Sequence, residues 1–263
     1  MGTRIFKVDS FTSKPFTGNP AGVCLLDGPR EERWMQGVAR EMNLSETAFL
    51  SPERDGFNLR WFTPAVEVSL CGHATLASAH ILWEEGLLEP SRTARFQTAS
   101  GELRAYLRGE LIEMDFPSKP EAPAAAPRDL ERALGVASAY VGRNALDYLV
   151  LLGSEEAVRA VRPDFALLRT VKLRGVIVTA PSDRPEYHFV SRFFAPAVGV
   201  DEDPVTGSAH CALTPFWAAR LGRSELVGYQ VSERGGVVHV RDAGDRTVLA
   251  GEAVTVLRGE LAI

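Results

Sequence analysis

Cysteine is scarce in this chain: Cys24, Cys71 and Cys211 stand far apart among 263 residues. Three separated thiols argue against a disulfide framework and fit reduced side chains in a cytoplasmic protein. Long apolar runs are missing as well. No stretch approaches the roughly 18 consecutive apolar residues of a membrane span. The opening Met1-Gly2-Thr3-Arg4-Ile5-Phe6 leads straight into a strand-like pattern, with no apolar signal core and no small-residue cleavage site. Charge of one sign never accumulates: the formal net charge is −5, and no run of Lys or Arg forms a basic stripe. Neither nucleic acid nor a membrane is therefore an expected partner, and a small molecule is. The chain has no Walker loop, no dinucleotide glycine fingerprint after a strand and no Gly-x-Ser-x-Gly elbow. No His and Cys pair has the spacing of a zinc site. No metal and no cofactor is expected, and the chemistry falls to side chains.

What the chain does have is a repeat. Arg60-Trp61-Phe62-Thr63-Pro64-Ala65-Val66-Glu67-Val68 recurs as Arg192-Phe193-Phe194-Ala195-Pro196-Ala197-Val198-Gly199-Val200. Each copy leads into a glycine-started helix, Cys71-Gly72-His73-Ala74-Thr75 after the first and Thr206-Gly207-Ser208-Ala209-His210 after the second. This pairs Gly72 with Gly207 and His73 with Ser208. The period is too long for a solenoid, whose units run to about 20–50 residues. It implies two similar halves, each long enough to bury a core.

The coarse pattern is α+β. Strand-like runs at 5–8, 21–26, 47–50, 57–62, 94–98, 103–107 and 111–116 are bounded by turn residues, with helices at 31–41 and 74–85. Residues 117–127 carry four prolines, which stiffen the chain and oppose a regular ladder. The boundaries drawn from this are a first domain at 1–116, a linker at 117–127 and a second domain at 128–252. The closing strand, about 253–263, is a candidate to return to the first domain. Asp129 is placed to cap a short helix ending at Gly135. Strands are expected at 140–141, 148–152, 175–179, 186–194, 229–232, 237–240, 247–249 and 254–257, and a second long helix near Gly207. Both long helices are apolar around most of their circumference, the mark of burial on most sides. Each is expected inside a curled, mostly antiparallel sheet.

A buried helix that starts on glycine presents unpaired N–H groups and partial positive charge. Gly72 and Gly207 would let a ligand approach the backbone, with His73 and Ser208 in the first turn. Two such ends facing each other across a cleft would hold a carboxylate or a developing enolate. Taken singly, each motif reads first as a turn glycine with a cap. Glu46 lies beside an apolar run, where burial could raise its pKa toward neutral pH for proton exchange. Asp203 sits just before the second helix, in a turn-forming Asp-Pro step. Asp201 and Glu202 are expected to be solvated, and Asn19 in Gly18-Asn19-Pro20 could aim an amide into the same cleft. Cys71 and Cys211 are not symmetrically placed, and all three thiols are expected to be buried small hydrophobes. His210 would point away from Ser208.

Asn19-Pro20-Ala21-Gly22, Asn43-Leu44-Ser45-Glu46-Thr47-Ala48-Phe49, Cys71-Gly72-His73-Ala74-Thr75 and Asp203-Pro204-Val205-Thr206-Gly207-Ser208-Ala209-His210 together resemble the PhzF family of phenazine-biosynthesis-like isomerases. The resemblance implies the diaminopimelate-epimerase-like fold: two pseudo-symmetric domains, each a central helix wrapped by a barrel-like sheet. It also implies a cofactor-independent isomerase and a homodimer. Glu46 would be the catalytic acid/base, assisted by His73, Asp203 and Ser208, with Asn19, Gly72, Thr206 and Gly207 binding substrate. The expected reaction moves a proton between carbons of a small, carboxylated, unsaturated or aromatic-type metabolite. The alternatives are a racemase or epimerase using Cys71 and Cys211, and a non-catalytic member of the fold that binds a metabolite or a protein.

Overall fold

The computed structural model describes residues 2–263. Its internal contacts divide the chain into two units, Met1–Asp115 with Ala250–Ile263, and Phe116–Leu249.

The first unit contains strands β1 (Thr3–Ser10) and β2 (Asn19–Leu25), helix α1 (Glu32–Met42), strands β3 (Glu46–Glu53), β4 (Gly56–Phe62) and β5 (Glu67–Val68), helix α2 (Gly72–Glu84), and strands β6 (Ala94–Thr98), β7 (Gly101–Arg108) and β8 (Leu111–Pro117). The C-terminal strand Ala253–Leu261 pairs antiparallel with β1. Because side chains alternate across a strand, this sheet sorts its residues between two helices. Ile5, Cys24, Leu26, Phe49 and Phe62 pack against Met35, Val38 and Ala39 of α1. The other face of β1, β2 and β3 packs on α2. Ten of the thirteen residues of α2 are buried. Its buried hydroxyls bond back within the helix, Ser78 to the Ala74 carbonyl at 2.7 Å and Thr75 to the Cys71 carbonyl at 2.5 Å. A polar group can therefore sit in an apolar surround without an unmet hydrogen bond.

The second unit has strand β9 (Ala122–Pro123), helix α3 (Leu130–Leu134), strands β10 (Tyr140–Arg143) and β11 (Asp147–Leu151), helices α4 (Glu155–Ala160) and α5 (Phe165–Leu168), strands β12 (Gly175–Pro181) and β13 (Phe189–Phe194), helix α6 (Gly207–Leu221), and strands β14 (Glu225–Gln230), β15 (Gly236–Asp242) and β16 (Arg246–Gly251). Val141, Val150, Val176, Val178 and Val190 pack beneath α3, α4 and α5. On the opposite face Trp217 of α6 stacks on Phe189 with ring centroids 5.7 Å apart, and its indole N–H donates to Thr179 at 3.0 Å. Pro215 lies inside α6 and has no N–H for the carbonyl of Cys211, four residues back. The backbone N–H of Lys119 supplies the missing donor at 3.0 Å.

The two units are wired alike. In the first, β1–β2 is antiparallel, β2–β3 parallel, β3–β4 antiparallel, β4–β6 parallel and β6–β7 antiparallel. In the second, β10–β11, β11–β12, β12–β13, β13–β14 and β14–β15 repeat the same five senses in the same order. The long helix follows β4 in one and β13 in the other, so the sequence repeat is a structural one.

Three local expectations need correction. The proline-rich stretch does enter a ladder, since Ala122 and Pro123 pair with Arg143 and Gly142. Pro123 is confined to a two-residue strand, where a missing donor costs little. Asp129 stands at the N-cap of α3 but makes no side-chain cap bond; its carboxylate pairs with Arg132 at 2.8 Å. Helices α4 and α5, absent from the sequence reading, are capped by Ser154 and Asp164.

Candidate active site

Helix α1 ends on Asn43 in the left-handed conformation (φ 49°), with its N–H bonded to the Ala39 carbonyl. The chain therefore turns at once into β3, and Glu46 is the first residue of that strand. Ser10 opposes Asn19 across β1 and β2, and Ala21 opposes Glu46 across β2 and β3. Strand alternation puts Ser10, Asn19 and Glu46 on the α2 face, at the level of the helix start. All three meet His73. The Ser10 hydroxyl donates to the His73 carbonyl at 2.9 Å, the Asn19 amide nitrogen lies 3.2 Å from Nδ1, and Glu46 Oε2 lies 3.2 Å from Nε2. Cys71, the residue before the helix, brings its Sγ to 3.6 Å from Nδ1.

The carboxylate and imidazole are covered, with side-chain exposures of 19% and 7%. Burial pushes the Glu46 carboxyl up, but the His73 charge, with hydrogen bonding from His73 and Cys71, outweighs it and holds the pKa below the ordinary value of 4.5. For His73 burial opposes the charge, and the neighbouring Cys71 and Glu46 overcome it, raising the pKa well above 6.5. Burial and the Glu46 charge push the Cys71 thiol up, against the pull of His73. The expectation that burial would raise Glu46 toward neutral pH is thus reversed by a partner the sequence placed 27 residues away. Asn19 serves either form of the ring: its NH₂ faces a neutral Nδ1, and the amide turned over offers oxygen to the imidazolium. No side chain caps α2.

In the second unit α6 also starts without a side-chain cap. The Thr206 hydroxyl donates to the Asp203 carboxylate, and the Asp203 N–H bonds the Phe193 carbonyl at 3.1 Å. Gln230, fully buried and not singled out by the sequence, clamps this turn. Its Oε1 accepts from the Thr206 N–H at 2.9 Å, and its Nε2 donates to the Asp203 carbonyl at 2.7 Å. Ser208 is partly exposed and accepts from Arg174 Nη2 at 3.0 Å. His210 points away from Ser208, as expected, with Nδ1 2.8 Å from the Thr206 carbonyl, and burial pushes its pKa down to about 4.

The matched registers show where the halves diverge. Phe62 opposes Thr47 in the first unit and Phe194 opposes Val176 in the second, so the counterpart of Glu46 is Gly175. A Cβ on Gly175 would lie 2.5 Å from the Phe193 ring and 2.8 Å from the Phe194 carbonyl oxygen. The second unit has no room for an equivalent acid. The counterpart of Cys71 ahead of α6 is Thr206.

A family model described as phenazine biosynthesis-like protein matches residues 8–259. An uncharacterised isomerase of Halalkalibacterium halodurans is 54% identical over 262 residues, covering 99% of each chain. The crystal structure of a PhzF-family phenazine biosynthesis protein from Enterococcus faecalis superposes with a TM-score of 0.96 at 39% identity, over 100% of both chains. The chain belongs to the PhzF family. As a PhzF-family protein it is an isomerase. A probable proline racemase from Agrobacterium radiobacter, 14% identical with a TM-score of 0.65 over 99% of this chain and 93% of the other, shares the fold.

Two further expectations hold only in part for this PhzF-family chain. All three thiols are buried, as expected, and burial pushes that of Cys24 up to about 12, but Cys71 does more than pack, since it completes the Glu46–His73 cluster. One donor atom from each of Glu46, Cys71 and His73 lies within 4.8 Å of the others. That donor set could hold a soft divalent ion, although every member already faces a protein partner. Glu202 is half-buried and paired instead of freely solvated: its carboxylate takes both Nε and Nη2 of Arg192, at 2.7 and 2.8 Å. Asp201 pairs with Arg169 at 2.9 Å on the surface. Among the described residues no helix is long and apolar enough to cross a membrane.

Proposed function

We propose that this PhzF-family isomerase moves a proton between two carbons of a small carboxylated, unsaturated or aromatic-type metabolite, with Glu46 as the acid/base. The observation that carries this reading is the covered Glu46–His73 pair at the uncapped start of α2. A carboxylate ionised at neutral pH takes the proton from carbon, the C–H electron pair enters the substrate's conjugated system, and the same carboxyl returns a proton at the second carbon. Atoms and electrons balance without a redox partner. Gly72 exposes the first N–H groups of the helix, which with His73 favour the negative charge that develops on substrate oxygen. Asn19 steadies the ring. Thr206, Gly207 and Ser208 offer substrate-binding groups at the start of α6, with Asp203 holding the Thr206 hydroxyl. A single acid fits a mechanism in which one group removes and returns the proton. The two-thiol racemase lacks its second thiol, because Thr206 stands opposite Cys71 in the repeat and Cys211 is buried within α6. A homodimer acting on a small molecule, implied by the family, belongs to the same proposal.

Glu46→Gln keeps the shape and removes the base. Incubated in D₂O with a panel of unsaturated and aromatic carboxylic acids, the wild type is expected to incorporate deuterium into at least one. Glu46→Gln is expected to lose about 10²–10⁴-fold in that rate while still binding the same acid. Full exchange in the variant rules the assignment out.

A further inference from the structure

We infer that Arg174 is a positioning residue that fixes the Ser208 hydroxyl as a hydrogen-bond donor, so the substrate atom met by Ser208 is an acceptor, a carboxylate or carbonyl oxygen. Arg174 immediately precedes Gly175, the residue that stands where the first unit has Glu46. The backbone register sets Asp147 opposite Gly175, and Asp147 is almost completely buried. Its carboxylate receives Arg174 Nε at 2.9 Å and Nη2 through its second oxygen, a two-point grip that fixes the guanidinium plane. The plane also lies over the Phe193 ring, 5.1 Å from its centroid. Held at its edge by Asp147 and on its face by Phe193, Arg174 directs Nη2 at Ser208 Oγ, 3.0 Å away.

A guanidinium has only donors, so this contact occupies a Ser208 oxygen lone pair and turns the hydroxyl hydrogen away from Arg174. Ser208 is partly exposed, and the freed O–H lies at the first turn of α6 beside N–H groups that also donate. The Ser208 hydroxyl and the helix-start N–H groups all ask for an acceptor. In the first unit the same helical position is His73, set by Glu46. The second unit reaches its helix start from one residue earlier because Phe193 leaves Gly175 no side-chain space.

The inference rests on the proposed placement of Ser208 in the substrate site, and its test reads binding instead of turnover. Calorimetric titration with planar carboxylates, benzoate and sorbate among them, is carried out on the wild type, Arg174→Gln, Ser208→Ala and the double variant. At least one carboxylate is expected to bind the wild type, and its amide more weakly. Arg174→Gln and Ser208→Ala are each expected to weaken that binding about tenfold, the size of one hydrogen bond. The double variant should be no weaker than Ser208→Ala alone, because Arg174 acts through Ser208. Asp147→Asn, which loosens the grip without removing the guanidinium, should give a smaller loss that also vanishes in Ser208→Ala. Additive losses, unchanged binding in Arg174→Gln, or no carboxylate bound at all would each overturn the inference. Full deuterium exchange in Glu46→Gln would instead defeat the catalytic assignment and leave this cycle to be read separately.

Discussion

In the proposed mechanism, His73 would set the pH at which Glu46 acts as a base. Its charge and hydrogen bonding, with help from Cys71, hold the carboxyl below 4.5 against burial that pushes the other way. In His73→Asn the burial is left with little opposition, so the Glu46 pKa rises. The acid limb of kcat/KM, followed by solvent-deuterium exchange, is expected below pH 4.5 in the wild type and at higher pH in His73→Asn. Superimposable limbs would show that His73 does not tune Glu46. Glu46, His73, Asp203 and Ser208 stand out in the sequence because they sit in three ordered motifs and two copies of a helix start. Arg174 and Gln230 do not. Leu173-Arg174-Gly175 has no distinctive spacing, and Arg174 gains meaning only from the β11–β12 register that sets Asp147 beside it. The sign of the Glu46 shift was also illegible, because it depends on a pairing made by the fold.

Among the elements, α2 and α6 were readable from their composition, since a helix with no broad polar face has to be covered. The strands were readable as alternating runs, with ends displaced by a few residues. Helices α4 and α5, six and four residues long, are too short to show a helical period, and only their Ser and Asp caps betray them. The start of β12 is the element most sensitive to substitution. Gly175→Ala would drive a methyl into the Phe193 ring and the Phe194 carbonyl. It is expected to destabilise the protein by about 1–3 kcal/mol, read from urea unfolding midpoints at unchanged m-value. A midpoint equal to that of the wild type would mean that β12 yields freely, and that close packing is not what keeps a side chain out of this position.

At the scale of the whole molecule, one wiring diagram is used twice, with Glu46 at a position in one copy that Gly175 occupies in the other, and His73 at the helix start where the other has an arginine-held serine. The charge of the first copy also ties stability to pH. Glu46 has a lowered folded pKa, so its contribution is present above about 4.5 and is lost as pH falls through the folded value. His73 has a raised one, so its contribution is complete below about 6.5 and is lost as pH rises through the folded value. Between those limits both contributions are present. The most direct test is a ¹³C and ¹⁵N NMR titration of the Glu46 carboxyl and the His73 ring in the free enzyme. The expected result is a carboxylate still ionised below pH 4.5 facing a ring still doubly protonated well above pH 6.5. A Glu46 that takes up its proton above pH 4.5, beside a ring that is neutral at pH 6.5, would contradict the ion pair on which the mechanism depends.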